Sequence, residues 1–434
     1  MEPKKESVAL IVGTEHKMDF YINDKVAAAA EKAESALAGQ MAAIEDTCMF
    51  NSRKVLKAFI DNGVTYADFA EINGYGFFDE ARDKIEAVFA QVLGTEDALV
   101  RPHIMSGTNA IWITLSGLLH PGDTLLAITG APYDPLEEIV GKRGDSPLSL
   151  IRNGIKYEEI DLIGDDFDLA AIDTRLKKGG VSMVEIQRSC GYSHRRGLSL
   201  EKIKEACELV KKISPETIIM CDNCYGELVC KQEPTEVGVD VMAGSLMHNL
   251  GGGIATSGGY VAGRADLIAQ VADRLTAPGI GKFLGANYNQ NLKFLKGLYM
   301  APRTVANAVK TAVFAAYLAE ELGFESVKPG PFEKHSDLIQ TFNLRSAEEL
   351  IAFCQALQSV SPVDSMFEAV PCEMPGYPHD EIMSAGTFAQ GSTIELTCDA
   401  PVVEPFRVYI QGGLTYEYGR IGMINAFSKI LNSR

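Results

Sequence analysis

"VDVMAGSLMHNLGGGIATSGGYVAG", residues 239–263, sets two short apolar runs of strand composition on either side of a turn with three consecutive glycines. The run 239–245 reads as one buried strand and 258–262 as the next. Ser245, His248 and Asn249 stand where the first strand ends. Glycine tolerates positive φ and lets backbone approach a neighbour closely, so the triplet predicts a tight loop against a ligand.

Upstream the same grammar repeats. Apolar runs at 98–101, 124–129, 181–187 and 217–221 alternate with helix-like segments at 108–119, 200–213 and 265–275. Alternating strands and helices predict an α/β fold, a large doubly wound and mostly parallel sheet. Residues 1–65 read as a helical N-terminal extension, 66–325 as the large domain and 326–434 as a smaller α+β domain. A helix over 305–322 leads into that last part, which holds a helix at 347–357 and strand signals in "IELTC" and "FRVYI". Ligands of such sheets sit beyond the carboxyl ends of the strands, so chemistry is expected at strand exits.

A chain of 434 residues with 46% hydrophobic and 23% charged residues is an ordinary globular protein with room for a large core. A net charge of −18 without a long basic run argues against nucleic acid as a partner. No apolar run approaches a membrane span, and the apolar stretch at the start is too short for a secretory signal. Nine scattered cysteines fit a reducing compartment, and the expected location is cytoplasmic. "CDNC" at 221–224 has no companion pair and follows the apolar "TIIM", so it reads as a strand exit; no metal site is expected.

Four strand exits carry polar groups. "SGT" at Ser106, Gly107 and Thr108 opens a helix whose free N–H groups make an anion cup. Tyr133 in "GAPYDPLEE" offers a ring for stacking. "IQRSCGYS" supplies Gln187 and Arg188, and "DNCYGE" supplies Asp222 and Tyr225. Ser245 can donate to a phosphate. Taken singly, "SGT" is a capped helix start, Tyr133 a rim aromatic, and Asp222 an N-cap or half of a salt bridge. In this order together they describe a pocket for pyridoxal phosphate, and no nucleotide-binding GxxxxGK[ST] or GxGxxG accompanies them.

Several stretches carry a resemblance: "GYGFFDEARDKIEAVFAQVLGTEDALVRPHIMSGTNAI", "DNCYGELV", "SLMHNLGGGIATSGGY", "RLTAPGIGK" and "GTFAQGSTIELT" with "YIQGGLTYE". From about residue 50 to 425 the chain resembles the methionine gamma-lyase-like group, also called aluminium-resistance proteins. These belong to the fold-type-I (aspartate-aminotransferase-like) pyridoxal-phosphate enzymes. The resemblance implies that Ser106, Gly107, Thr108 and Ser245 hold the phosphate, Tyr133 stacks on the ring and Asp222 pairs with the pyridine nitrogen. It also implies a homodimer or homotetramer in which Tyr75 reaches a neighbouring subunit's site.

The chain departs from that pattern at its centre. Family members look like "SLIKNPGGG", so His248 stands where their Schiff-base lysine does and Leu250 where a proline does. Asn109 replaces a histidine in "SGTHA", and an arginine expected near 403 is found instead at Arg407. Imidazole forms no stable Schiff base with an aldehyde, so pyridoxal 5′-phosphate or pyridoxamine 5′-phosphate is expected to bind noncovalently. Histidine titrates near neutrality and is a general acid/base. The expected activity is a lyase, carbon–sulfur or related β/γ-elimination on an amino-acid-like substrate. His248 would be its acid/base, aided by Tyr133 and Tyr75, and Arg407 or Arg188 would receive a carboxylate. The alternative is an inactive pseudoenzyme that binds a cofactor or partner.

Overall fold

The computed structural model describes residues 22–70, 72–75, 79–374 and 376–434. Two helices, α1 (Asp24–Ala36) and α2 (Ala38–Asp61), precede α3 (Glu80–Val92). Then follow β1 (Asp97–Arg101), α4 (Gly107–Leu118), β2 (Thr124–Ala127), α5 (Asp134–Val140), β3 (Lys156–Glu159), α6 (Leu169–Leu176) and β4 (Met183–Gln187). The large sheet is completed through α7 (Leu200–Ile213), β5 (Ile218–Asp222), β6 (Val241–Ser245) and β7 (Gly259–Gly263), and α8 (Ala265–Leu275) covers it. After α9 (Asn291–Glu321) come β8 (Glu325–Lys328), β9 (Gln340–Asn343), α10 (Ala347–Gln358), β10 (Glu381–Ser384), β11 (Thr397–Pro401), β12 (Arg407–Gln411) and α11 (Tyr416–Ser433).

The seven-stranded sheet runs in the order β1-β7-β6-β5-β4-β2-β3. From β6 to β3 the neighbours are parallel, and β7 is antiparallel to both β6 and β1. Its strands are apolar on both faces because helices cover both. Leu125, Met183, Met220 and Val241 pack into one core with α4, α5 and α8. Their neighbours Leu126, Val184, Ile219 and Met242 point the other way, into the core shared with α3, α6 and α7. A second, antiparallel sheet of five strands has the order β10-β11-β12-β9-β8.

Several elements differ from the sequence expectation, which did not include α3, α5, α6, α11, β8, β9 or β10. β3 was not foreseen: as an edge strand with exposed Lys156 and Glu159 it lacks the apolar signature of its neighbours. Helix α9 starts well before residue 305, with buried Pro302 inside it. Its N-terminal half is fixed by packing: a Cβ on Gly297 would stand 2.4 Å from the Gly251 carbonyl oxygen, so helix and glycine loop touch backbone to backbone.

Candidate active site

The carboxyl ends of the parallel strands converge by register. Gln187 pairs with Asp222 across β4 and β5, and Asp222 with Ala243 across β5 and β6. There they border a cavity of about 270 Å³, lined by Ser106, Gly107, Thr108, Tyr133, Gln187, Asp222, Tyr225, Ser245 and His248 among others. A larger cavity of about 480 Å³ lies between α2 and α9, away from the strand exits.

Helix α4 begins at the cavity. Ser106 caps it by accepting from the Asn109 N–H at 3.1 Å, and the first-turn N–H groups with the Ser106, Thr108 and Ser245 hydroxyls form a cup for an anion. Gly107 has a packing reason: its Cβ would meet Cys224 Sγ at 2.9 Å. Gly107→Ala is therefore expected to destabilise the fold by ~1–3 kcal/mol through overpacking. It should also weaken inorganic phosphate binding, which denaturant unfolding and phosphate titration would check. Cys221 and Cys224 are buried free thiols, and no metal-ligand cluster is found among the described residues.

Tyr133 is fixed at both ends. Its N–H donates to Gln187 Oε1 at 3.0 Å and its hydroxyl donates to Thr108 Oγ1 at 2.9 Å. Burial and the Asp222 charge push its phenol well above the usual range, so it stays protonated. Asp222 accepts from the Cys224 N–H at 3.0 Å and has no ion-pair partner among the described residues; burial raises its carboxyl to about 6. A pyridine N–H is the kind of donor such a carboxylate lacks.

His248 follows β6 in a short turn. Its Nδ1 shares a hydrogen bond with Thr393 Oγ1, and its ring lies 4.6 Å from that of Tyr225 at an interplanar angle of 32°. Burial lowers the imidazole to about 4, so at neutral pH the ring is uncharged and able to accept a proton. Tyr225 itself has φ of 70°, a left-handed conformation that costs a non-glycine residue about 1–3 kcal/mol.

Three expectations are corrected. The glycines 251–253 do not border the cavity: an added Cβ would strike Leu246 O, Gly297 O and Leu414 Cδ2 respectively, so they serve close packing against the chain itself. Arg188 is fully buried away from the cavity lining, donating to Asn223 Oδ1 at 2.7 Å and Gly226 O at 3.0 Å. Arg407 is likewise absent from the lining and donates to Asn343 Oδ1 at 2.9 Å. Tyr75, expected at a neighbouring subunit's site and not at this one, is 80% exposed. Sequence reasoning missed Thr393, Asp399, Gln411, Tyr192 and Tyr377, which come from the small sheet and from loops. The signal for two of them was a polar residue within a β-rich run, "TCDAP" and "RVYIQ".

Comparison with known proteins places the chain in a family. The methionine gamma-lyase family matches residues 26–431. The uncharacterized protein YnbB of Bacillus subtilis (strain 168) is 42% identical over 411 residues, covering 93% of this chain and 96% of that protein. A solved carbon-sulfur lyase involved in aluminium resistance, from Clostridium novyi NT, is 41% identical with a TM-score of 0.91, covering 96% of this chain and 100% of that one. At 16% identity, the pyridoxal-5′-phosphate-dependent protein YhfS of Escherichia coli shares the fold, with a TM-score of 0.61 over 90% of this chain and 97% of its own. The fold is thus that of the fold-type-I pyridoxal-phosphate enzymes, and the chain belongs to the methionine gamma-lyase family.

Proposed function

We propose that the protein is a lyase acting at carbon–sulfur or related bonds of an amino-acid-like substrate, with noncovalently held pyridoxal 5′-phosphate or pyridoxamine 5′-phosphate and with His248 moving protons. The observation that carries this is the cavity lining: an anion cup, a fixed tyrosine ring and an unpaired buried carboxylate, with no lysine among its described residues. When bound, such a cofactor supplies an electron sink beside the bond to be cleaved.

The chain's own residues divide the work. The α4 N–H groups with Ser106, Thr108 and Ser245 bind the phosphate; Tyr133 offers a stacking face; Asp222 accepts the pyridine N–H. Thr393 holds Nδ1 of His248, leaving Nε2 as the nitrogen that takes or gives a proton. Exposed Tyr75 is available to a second copy's site in the proposed homo-oligomer.

Lys282 is the lysine to watch, and it is already engaged with Asp97 at 2.6 Å and Glu86 at 3.1 Å. Dialysis should therefore strip added pyridoxal phosphate completely, and borohydride should leave no pyridoxyl group on any lysine in the mass spectrum. An adduct on a lysine would overturn the noncovalent reading. A second reading, a binding protein without turnover, is favoured by the low basicity of His248. His248→Ala separates the two: an enzyme loses ~10²–10⁴-fold in elimination rate while still binding the cofactor. A binding protein shows no elimination to lose.

A further inference from the structure

We propose that the part of this cavity bounded by the small sheet selects a substrate bearing a cationic, donor-rich group, an ammonium, amidinium or guanidinium, through Asp399, Gln411 and the rings of Tyr192 and Tyr377. Calling that molecule a substrate rests on the function proposed above; the recognition itself does not.

The first observation is charge. Three carboxylates line the cavity, Asp134, Asp222 and Asp399, with no arginine or lysine among the described lining residues. Asp134 is paired with Arg143 at 3.4 Å, and Asp222 stands at the floor that suits a pyridine nitrogen. Asp399 is left facing the cavity without an ion-pair partner among the described residues. The guanidinium groups that could have anchored a substrate carboxylate, Arg188 and Arg407, are turned to other partners.

The second observation is an unpartnered acceptor. Gln411 donates through Nε2 to Asp399 Oδ2 at 2.9 Å, which fixes its amide orientation because a carboxylate accepts and does not donate. Its Oε1 is then buried with no hydrogen-bond partner among the described residues, on a side chain only 3% exposed. A buried acceptor of this kind is satisfied only by a donor from a ligand or water.

The third is aromatic walling. Tyr192 lies 5.6 Å from Tyr377 and 4.9 Å from Tyr409, centroid to centroid, and Tyr192, Tyr225 and Tyr377 all border the cavity. Aromatic faces attract cations, most strongly where water is excluded. Burial and the Asp399 charge raise the Glu381 carboxyl to about 8, so at neutral pH it is protonated and Asp399 is the charge that a ligand cation answers. At Asp399 and Gln411 Oε1 a ligand carboxylate would meet acceptors. A ligand cation meets a carboxylate, an amide oxygen and ring faces.

The test uses the full chain, with and without saturating pyridoxal phosphate, and three probes of matched size that lack a primary amine: butylguanidinium, butylurea and pentanoate. Calorimetric titration is expected to show butylguanidinium binding about tenfold or more tighter than butylurea, with pentanoate weakest. Asp399→Asn should erase that preference while leaving pyridoxal phosphate affinity unchanged, and Gln411→Leu should weaken it less. Pentanoate binding best, or equal binding of all three, overturns the proposal. So does a preference that survives Asp399→Asn. If butylguanidinium is selected but pyridoxal phosphate does not bind, the cofactor reading fails and the cation subsite stands. If pyridoxal phosphate binds and no probe is discriminated, the reverse holds.

Discussion

Asp222→Asn is expected to make the cofactor-free protein more stable and the cofactor-binding protein worse. Burial raises this carboxyl from 3.8 to about 6 in the folded state. The folded protein thus binds this proton more tightly than the unfolded chain does, and stability falls as pH rises from about 4 to about 6. Above that the loss is complete, on the order of 2–3 kcal/mol, because the carboxylate sits ionised without a cation. Asparagine has no charge to bury, so its urea midpoint at neutral pH should rise. Its affinity for pyridoxal phosphate should fall about 10–100-fold, since a charge-assisted hydrogen bond becomes a neutral one. In the natural protein affinity should also weaken as pH drops through about 6, the range in which Asp222 gains its proton. Titrations between about pH 5 and about pH 8 would show that slope, and the asparagine variant should lack it. Undiminished binding by the variant would remove the carboxylate from the ring's edge.

The other large effect is a gain. His248→Lys is expected to convert a protein that borohydride leaves unlabelled into one labelled close to stoichiometrically at position 248. The argument is electrostatic as well as chemical. The burial that lowers the imidazole to about 4 disfavours any cation at this position, so a lysine there would spend more time as the free amine that attacks an aldehyde. Turnover need not follow in proportion, because Asn109 and Leu250 also depart from the pattern that the sequence resemblance implies. Peptide mapping after reduction reads the result. A lysine at 248 that never captures the aldehyde would mean that this side chain does not reach the cofactor's reactive carbon, and the assignment of His248 would fall with it.

The large sheet was legible because its strands are buried on both faces and so appear as continuous apolar runs. Residues 98–101 and 217–221 match β1 and β5 to within one residue, and 181–187 matches β4 to within two. Strand exits then pointed to Ser106, Tyr133, Asp222 and His248, which line one cavity. The glycine loop was legible as a turn but not in its purpose. Only the structure shows that Gly251 and Gly252 face α9 at Gly297. Arg188 and Arg407 were singled out for their charge, and a charge alone does not say whether its partner is a ligand or Asn223 and Asn343. Asp399 and Gln411 were hard to single out because they come from β11 and β12 of the antiparallel sheet, and Thr393 because it lies in the turn before β11. Polar residues occur in such strands and turns for many reasons, and nothing local marks which of them border the cavity.

The bond between Thr393 and His248 joins a residue just before β11 to one just after β6. A hydroxyl beside the small sheet thereby holds an imidazole beside the large one, and in the role proposed for His248 the base is fully assembled only while these two parts stay docked. Prying them apart would free the ring to spin and erase the distinction between its two nitrogens. Fidelity in handling protons is in this sense a property of the seam, and a substitution that loosens the seam far from any ligand would cost turnover without touching a binding contact.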